Sequence, residues 1–193
     1  MNDLMTAEAP SDRDRVLEAA DHLFYSRGIQ AVGMDAVRSE AGVPLKRLYA
    51  SFPSKEALVL EVLRRRSERW REGLDAAIAA AATPRAKLLA VYDVLDDWFH
   101  DDGFRGCVFI NAFGELGAVA PVVASAARDQ KHAFREQLAD LVAELGAPED
   151  LAPRLALLAE GAQTTAAIDG SPDAASVARG AAEVLIDASL TSA

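Results

Sequence analysis

Apolar residues in this chain recur three and four places apart, and a glycine or proline closes nearly every such run. That spacing places them on one face of an α-helix. Val16, Ala20, Leu23 and Phe24 form the first stripe, with Gly28 as a left-handed stop. Met34, Val37 and Ala41 form a shorter one before Gly42. Pro44 reads as the opening of a third helix, Leu45 to Ser51, since its missing N–H would be unpaired there anyway. Ser54 then caps a long helix running through Leu58, Val62 and Trp70 towards Ala82. Thr83-Pro84 starts a helix with Leu88, Tyr92, Leu95 and Phe99 on one face, widened by Val91 and Trp98. Cys107 to Phe113 is too short for periodicity to separate strand from helix, and its helical surroundings favour helix. Pro121 opens a run carrying Phe134, Leu138, Leu141, Val142 and Leu145. Gly146-Ala147-Pro148 and Gly170-Ser171-Pro172 each repeat a stop and a start, and the last helix shows Val177, Ala181, Val184, Leu185 and Ala188 on one face. The pattern predicts an all-α protein of about nine helices.

Composition excludes several classes. Of 193 residues, 51% are hydrophobic and 26% charged, which suits a globular core and not a disordered chain. The single cysteine, Cys107, excludes an intramolecular disulfide and an all-cysteine zinc site. His22, His100 and His132 lack the i, i+4 pairing of a helical metal site, so neither metal nor cofactor is expected. No apolar run approaches the roughly 18–20 residues of a membrane span. The acidic start lacks the pattern of a secretion signal, so a cytoplasmic protein with a disordered tail over residues 1–11 is expected.

A net charge of −10 argues against nucleic acid until its distribution is read. Residues 1–72 carry twelve cations and twelve anions, whereas residues 73–193 carry eight and eighteen. From Arg27 to Arg71 there are ten cations to five anions. A locally basic segment therefore sits ahead of an acidic body. Within it, two short helices flank the tight turn at Gly42, a spacing that reads as helix-turn-helix. The second helix would enter the major groove. Lys46 and Arg47 lie in its first turn, where side chains meet base edges; arginine pairs with the two acceptors of guanine. Tyr49 and Ser51 can donate to phosphates, and Lys55 stands where the next helix aims its amides outward. The competing reading makes Lys46 and Arg47 plain solvated surface and Phe52 core. The arginines from Arg64 to Arg71 read as a solvated face pairing with Glu61, Glu68 and Glu72.

The stretch from Arg15 to Val59 resembles the DNA-binding domain of tetracycline-repressor-type (TetR-family) transcriptional regulators. The matching residues are Ala19, Ala20, Leu23, Phe24, Gly28, Val37, Ala41, Gly42, Val43, Leu48, Tyr49, Phe52, Ser54, Lys55, Glu56 and Leu58, in register without a gap. There are departures. Gly33 and Pro44 stand where the family usually has Ser or Thr, Arg38 replaces a small residue, and Ala50-Ser51 stands where the family often has Tyr-His. The resemblance supports Tyr49 and Lys55 as DNA contacts. It implies a homodimer and a DNA-binding domain over residues 12–57, followed by a ligand-binding and dimerisation domain over 58–193.

In that second region, Trp98, Phe99, Phe104, Phe109 and Phe113 gather many of the chain's aromatic residues. Most suit a core. With nearby polar groups they also suit a mostly apolar pocket, for which Tyr92, Trp98, Phe109, Phe113, His132 and Gln163 are the candidate ligand-binding residues. Cys107 suits a buried filler, yet a position at a helix N-terminus also makes it a possible redox site. No third group completes a catalytic set, so an enzyme is not expected. Small residues in the last two helices leave apolar faces that a two-fold partner would cover. The expected function is a repressor released from a palindromic operator in double-stranded DNA by a small-molecule effector. The alternative is a helical small-molecule sensor or enzyme without DNA binding.

Overall fold

The structure, a computed structural model, describes residues 10–191. Nine α-helices lie among the described residues: α1 (Asp12–Arg27), α2 (Met34–Ala41), α3 (Leu45–Ser51), α4 (Lys55–Ala80), α5 (Pro84–Phe99), α6 (Val108–Leu116), α7 (Pro121–Leu145), α8 (Leu151–Asp169) and α9 (Ala174–Thr191). The expected tail lies, for residues 1–9, outside the described residues. Ser11, assigned to that tail by sequence, instead caps α1: its hydroxyl accepts from the Asp14 N–H, and the Asp14 carboxylate accepts from the Ser11 N–H. No helix among the described residues is long and apolar enough to cross a membrane.

The chain separates into two compact units, residues up to Leu63 and residues from Arg64 onward, with the division inside α4. In the first unit α1 packs on α2 and α3. The expected stripes are its interior: Val16, Ala20, Leu23, Phe24, Val37, Leu48, Phe52, Leu58 and Val62 are all buried. Gly42 ends α2 at φ 64°, ψ 35°, and the N–H of Val43 returns to the Arg38 carbonyl. This left-handed turn is what only glycine adopts cheaply, and it ends α2 so that the chain can start α3 three residues later. Gly28 differs from expectation. Its φ of 86° still favours glycine, but its ψ of 148° lies outside the left-handed helical region, so α1 ends there without a left-handed cap. Pro44 is the N-cap of α3, one place before its first turn. Neither Gly33 nor Pro44 caps its helix with a side chain, which is the structural counterpart of the missing Ser or Thr.

In the second unit α5, α7, α8 and α9 pack around one apolar cluster and α6 lies against α7. Leu74, Leu88, Tyr92, Leu95, Leu138, Leu155, Ala159 and Ile186 form its centre. Partly buried Trp70, Trp98 and Phe104 pack against it, edge-on or tilted to one another and to the buried Phe99 and Phe134, with centroids 4.8 to 6.3 Å apart. Arg85 grips Asp187 through two bonds of 2.8 and 3.0 Å, and Arg179 reaches Asp93 at 2.7 Å, tying α5 to α9.

The last helix leaves part of the apolar stripe read from its sequence uncovered, as expected of a face kept for a partner. Ala175, Ala178, Ala182 and Ile186 face the core, while Val177 and Val184 point to solvent. Small residues suffice on the core side because α8 lies close, offering Ala159, Ala162 and Ala166 in turn.

Candidate functional site

The short helix α3 is fixed by what it buries and defined by what it leaves outside. Leu48 is fully buried beneath it and Phe52 closes its C-terminal end, with the Phe52 N–H on the Leu48 carbonyl at 2.8 Å. One anchor per turn leaves the rest of a seven-residue helix outward. Lys46 and Arg47 are exposed, and Tyr49 is 45% exposed. Ser51 is half-buried at the last turn. Lys55 is half-buried in the first turn of α4, its ammonium 6.0 Å from the centre of the Phe24 ring. Ser54 accepts from the Ala57 N–H at 3.0 Å, the cap expected from sequence. The five candidate residues thus share one stretch, and none of the five is fully buried.

Residues that the sequence did not single out surround them. Arg47 Nη1 donates to Asp12 Oδ2 at 2.5 Å across 35 residues of chain. Hydrogen bonding to Arg47, then to Arg15, holds the Asp12 carboxyl below the usual carboxylate range, and the same bond raises Arg47. Arg13, next to Asp12, lies 5.0 Å over the Phe52 ring and donates to Glu61 at 2.8 Å. The first turn of α1 is therefore strapped across α3 and α4 within this unit. No local motif announces such pairs, because their partners lie far apart in sequence. Along α4, Arg64 pairs with Glu68, as the solvated-face reading expects.

In the second unit the ligand candidates separate. Tyr92 is fully buried, its hydroxyl donates to the Leu155 carbonyl at 2.8 Å, and burial pushes the phenol pKa up. Trp98 packs on the central cluster, and Phe109 and Gln163 are buried. Gln163 donates to the Ala159 carbonyl at 3.2 Å. Phe113 and His132 do not join them. Phe113 is half-exposed, and His132 is exposed with Nε2 3.3 Å from Glu136. Gln130 Oε1 is buried and meets no donor among the described residues.

Cys107 is buried ahead of α6, and Lys131 Nζ lies 3.4 Å from its sulfur and 3.9 Å from Glu160. Gly106 before it has φ 83°, and a Cβ there would come within 3.0 Å of Ala167. The glycine is thus what lets the start of α6 approach α8. Each histidine has its own carboxylate neighbour, Glu40, Asp96 or Glu136. No group of three metal-ligating side chains forms among the described residues.

Comparison with known proteins agrees with this geometry. The family model described as bacterial regulatory proteins, tetR family, matches residues 16–62. The chain is 31% identical over 132 residues to the transcriptional activator FasR of Mycolicibacterium smegmatis, a match covering 67% of this chain and 58% of that protein. It is 38% identical over 76 residues to the transcriptional repressor KstR of the same species, covering 39% and 37%. A crystal structure of a TetR-family transcriptional regulator from Streptomyces coelicolor superposes with a TM-score of 0.87 at 27% identity, covering 92% of this chain and 95% of that one. The helix-turn-helix, the all-α second unit and these likenesses agree, and the chain belongs to the tetR family of bacterial regulatory proteins.

Proposed function

We propose that this protein is a ligand-responsive, DNA-binding transcriptional regulator in the cytoplasm, a homodimer that represses from a palindromic operator and is released by a small molecule. The observation that carries the reading is α3: a helix pinned by Leu48 and Phe52 that presents Lys46, Arg47 and Tyr49 outward, on a chain whose net charge is −10. On a chain so acidic, exposed cations gathered on one short helix suit a polyanion. Lys46 and Arg47 read bases or phosphates, and Tyr49, Ser51 and Lys55 contact the backbone.

The dimer runs through α8 and α9. Leu157 and Ile168 on α8, and Val177 and Val184 on α9, are each more than two-thirds exposed. On each helix they share a face with small residues, Gly161 and Thr164 on one and Ala181 on the other. An apolar face on each of two adjacent helices is what an isologous four-helix interface requires. The effector binds the second unit, where Tyr92, Phe109 and Gln163 are buried on three helices, Trp98 is partly buried beside them, and the Gln130 amide oxygen still has acceptor capacity. To release DNA the effector must favour the released state by about 1–3 kcal/mol. By the same reading Cys107 is a redox-responsive position, supported by the adjacent ammonium of Lys131. Its alkylation rate, compared in the folded and denatured chain, tests this.

The deciding experiment is selection of bound fragments from a pool of randomised duplexes. A palindrome is expected among the winners, and changing Lys46 and Arg47 together to Ala should abolish enrichment. Affinity for the winning duplex should fall with salt at about −0.9 per neutralised phosphate on a log–log plot. A pool that emerges unenriched, or a flat salt response, would end the proposal in favour of a sensor without DNA affinity.

A further inference from the structure

Asp12 is an acid placed beside the face that the reading above gives to DNA. Its carboxylate is held by Arg15 on its own helix and by Arg47 Nη1 at 2.5 Å from α3. The backbone under it is fixed by the Ser11–Asp14 capping box, and the neighbouring Arg13 is anchored on Glu61 and the Phe52 ring. A negative group facing a polyanion is unfavourable unless it does something that neutral residues cannot. What a carboxylate does for an arginine is geometric. It takes one end of the guanidinium fork, stops a long side chain from sweeping through its rotamers, and leaves the other edge in a set direction.

Resting on the reading of α3 as the DNA-reading helix, we propose that Asp12 is a positioning residue for Arg47. It holds the guanidinium so that Arg47 discriminates between bases instead of serving as a mobile phosphate counter-charge. An oriented fork suits the two adjacent acceptors of guanine, whereas a free arginine swings to whichever phosphate is nearest. Asp12 thereby trades general attraction for selectivity.

The test uses the full chain and the variants D12N, D12E, R47A and D12N/R47A. Each is run against the same randomised duplex pool, with base frequencies read after selection. Affinity for a random-sequence duplex and thermal unfolding are measured in parallel. R47A identifies the position that Arg47 reads as the one whose preference it erases. D12N should flatten the preference at that position by about fivefold or more, the scale of one good side-chain–base pairing. At the same time D12N should tighten binding to random-sequence duplex a few-fold, because one repelling charge is gone. D12E keeps a carboxylate and should retain most of the preference, and in the R47A background D12N should alter no base preference further. The proposal is overturned if D12N leaves that preference intact, or if it weakens all positions alike in both backgrounds, as mere loosening of α1 would. If R47A selects the same sequences as the native chain, or the native chain selects none, it is the DNA reading itself that fails.

Discussion

The two units differ in what they leave uncovered. The first buries its apolar stripes almost completely and exposes cations and a tyrosine on α3. The second, which carries most of the chain's surplus of acid, leaves branched apolar side chains standing in solvent on α8 and α9. Charged groups in water incur little penalty, and isolated surface ion pairs stabilise little. Exposed valine, leucine and isoleucine at helical spacing are a different matter, since covering them contributes roughly 25 cal/mol per Å². One unit is thus complete by itself with a surface suited to a polyanion, and the other is complete only against a second apolar face.

Five substitutions probe that contrast, from the largest expected effect to the smallest. Val184→Glu would place a charge in the proposed α8/α9 interface, where an unpaired buried charge costs several kcal/mol. Sedimentation should show the dimer weakened at least a hundredfold, with the helical content of the monomer unchanged; a dimer of native strength would place the interface elsewhere. Leu48→Ala deletes the fully buried anchor within α3 and should cost the first unit about 2–5 kcal/mol. Both tryptophans, Trp70 and Trp98, lie in the second unit, so fluorescence should keep its native unfolding midpoint while circular dichroism reveals an earlier transition. Coincident transitions would show the two units to be one cooperative body.

Tyr92→Phe leaves the Leu155 carbonyl without its 2.8 Å donor inside the second core. A loss of about 1–2 kcal/mol is expected by denaturant titration, followed through tryptophan fluorescence. Gly33→Ser should go the other way. Gly33 is the N-cap of α2 with φ −86°, ψ 161°, no side-chain cap and open space around a Cβ. A serine there should stabilise the first unit by about 0.5–1 kcal/mol in thermal unfolding. Asp187→Asn is expected to have the smallest effect. Hydrogen bonding to Arg85 lowers the Asp187 pKa in the folded chain, so this pair adds stability above the unfolded carboxylate pKa of about 4 and loses it as pH falls through the lower folded value. The native chain should lose slightly more stability than the variant between pH ~5 and ~2; equal acid sensitivity would make the pair inert.

Much of the architecture was legible before any coordinates. Thr83-Pro84 opens α5 as cap and first-turn residue, and Leu88, Tyr92, Leu95 and Phe99 all turn inward as their spacing demands. Cys107 to Phe113 is helical from Val108, which its own periodicity could not decide. On α9 two faces are apolar, and the stripe read from sequence is the one whose Val177 and Val184 stay uncovered. Ala175, Ala178 and Ala182 pack inward on the other face, because only small side chains let α8 approach. The candidate DNA residues were visible as types at a spacing on a short helix. Their ties to Asp12, Arg13 and Glu61 were not, because an ion pair spanning 35 or 48 residues leaves no local pattern.

Helix identity, helix order and the turn at Gly42 were determined by the sequence alone, because backbone preference and apolar period act over a few residues and are written where they act. Which face of α9 is interior, which acid holds Arg47 and which ammonium lies beside Cys107 were decided only by tertiary structure. Those choices depend on which distant surface arrives first at contact distance, a property of the packed chain and of no segment within it.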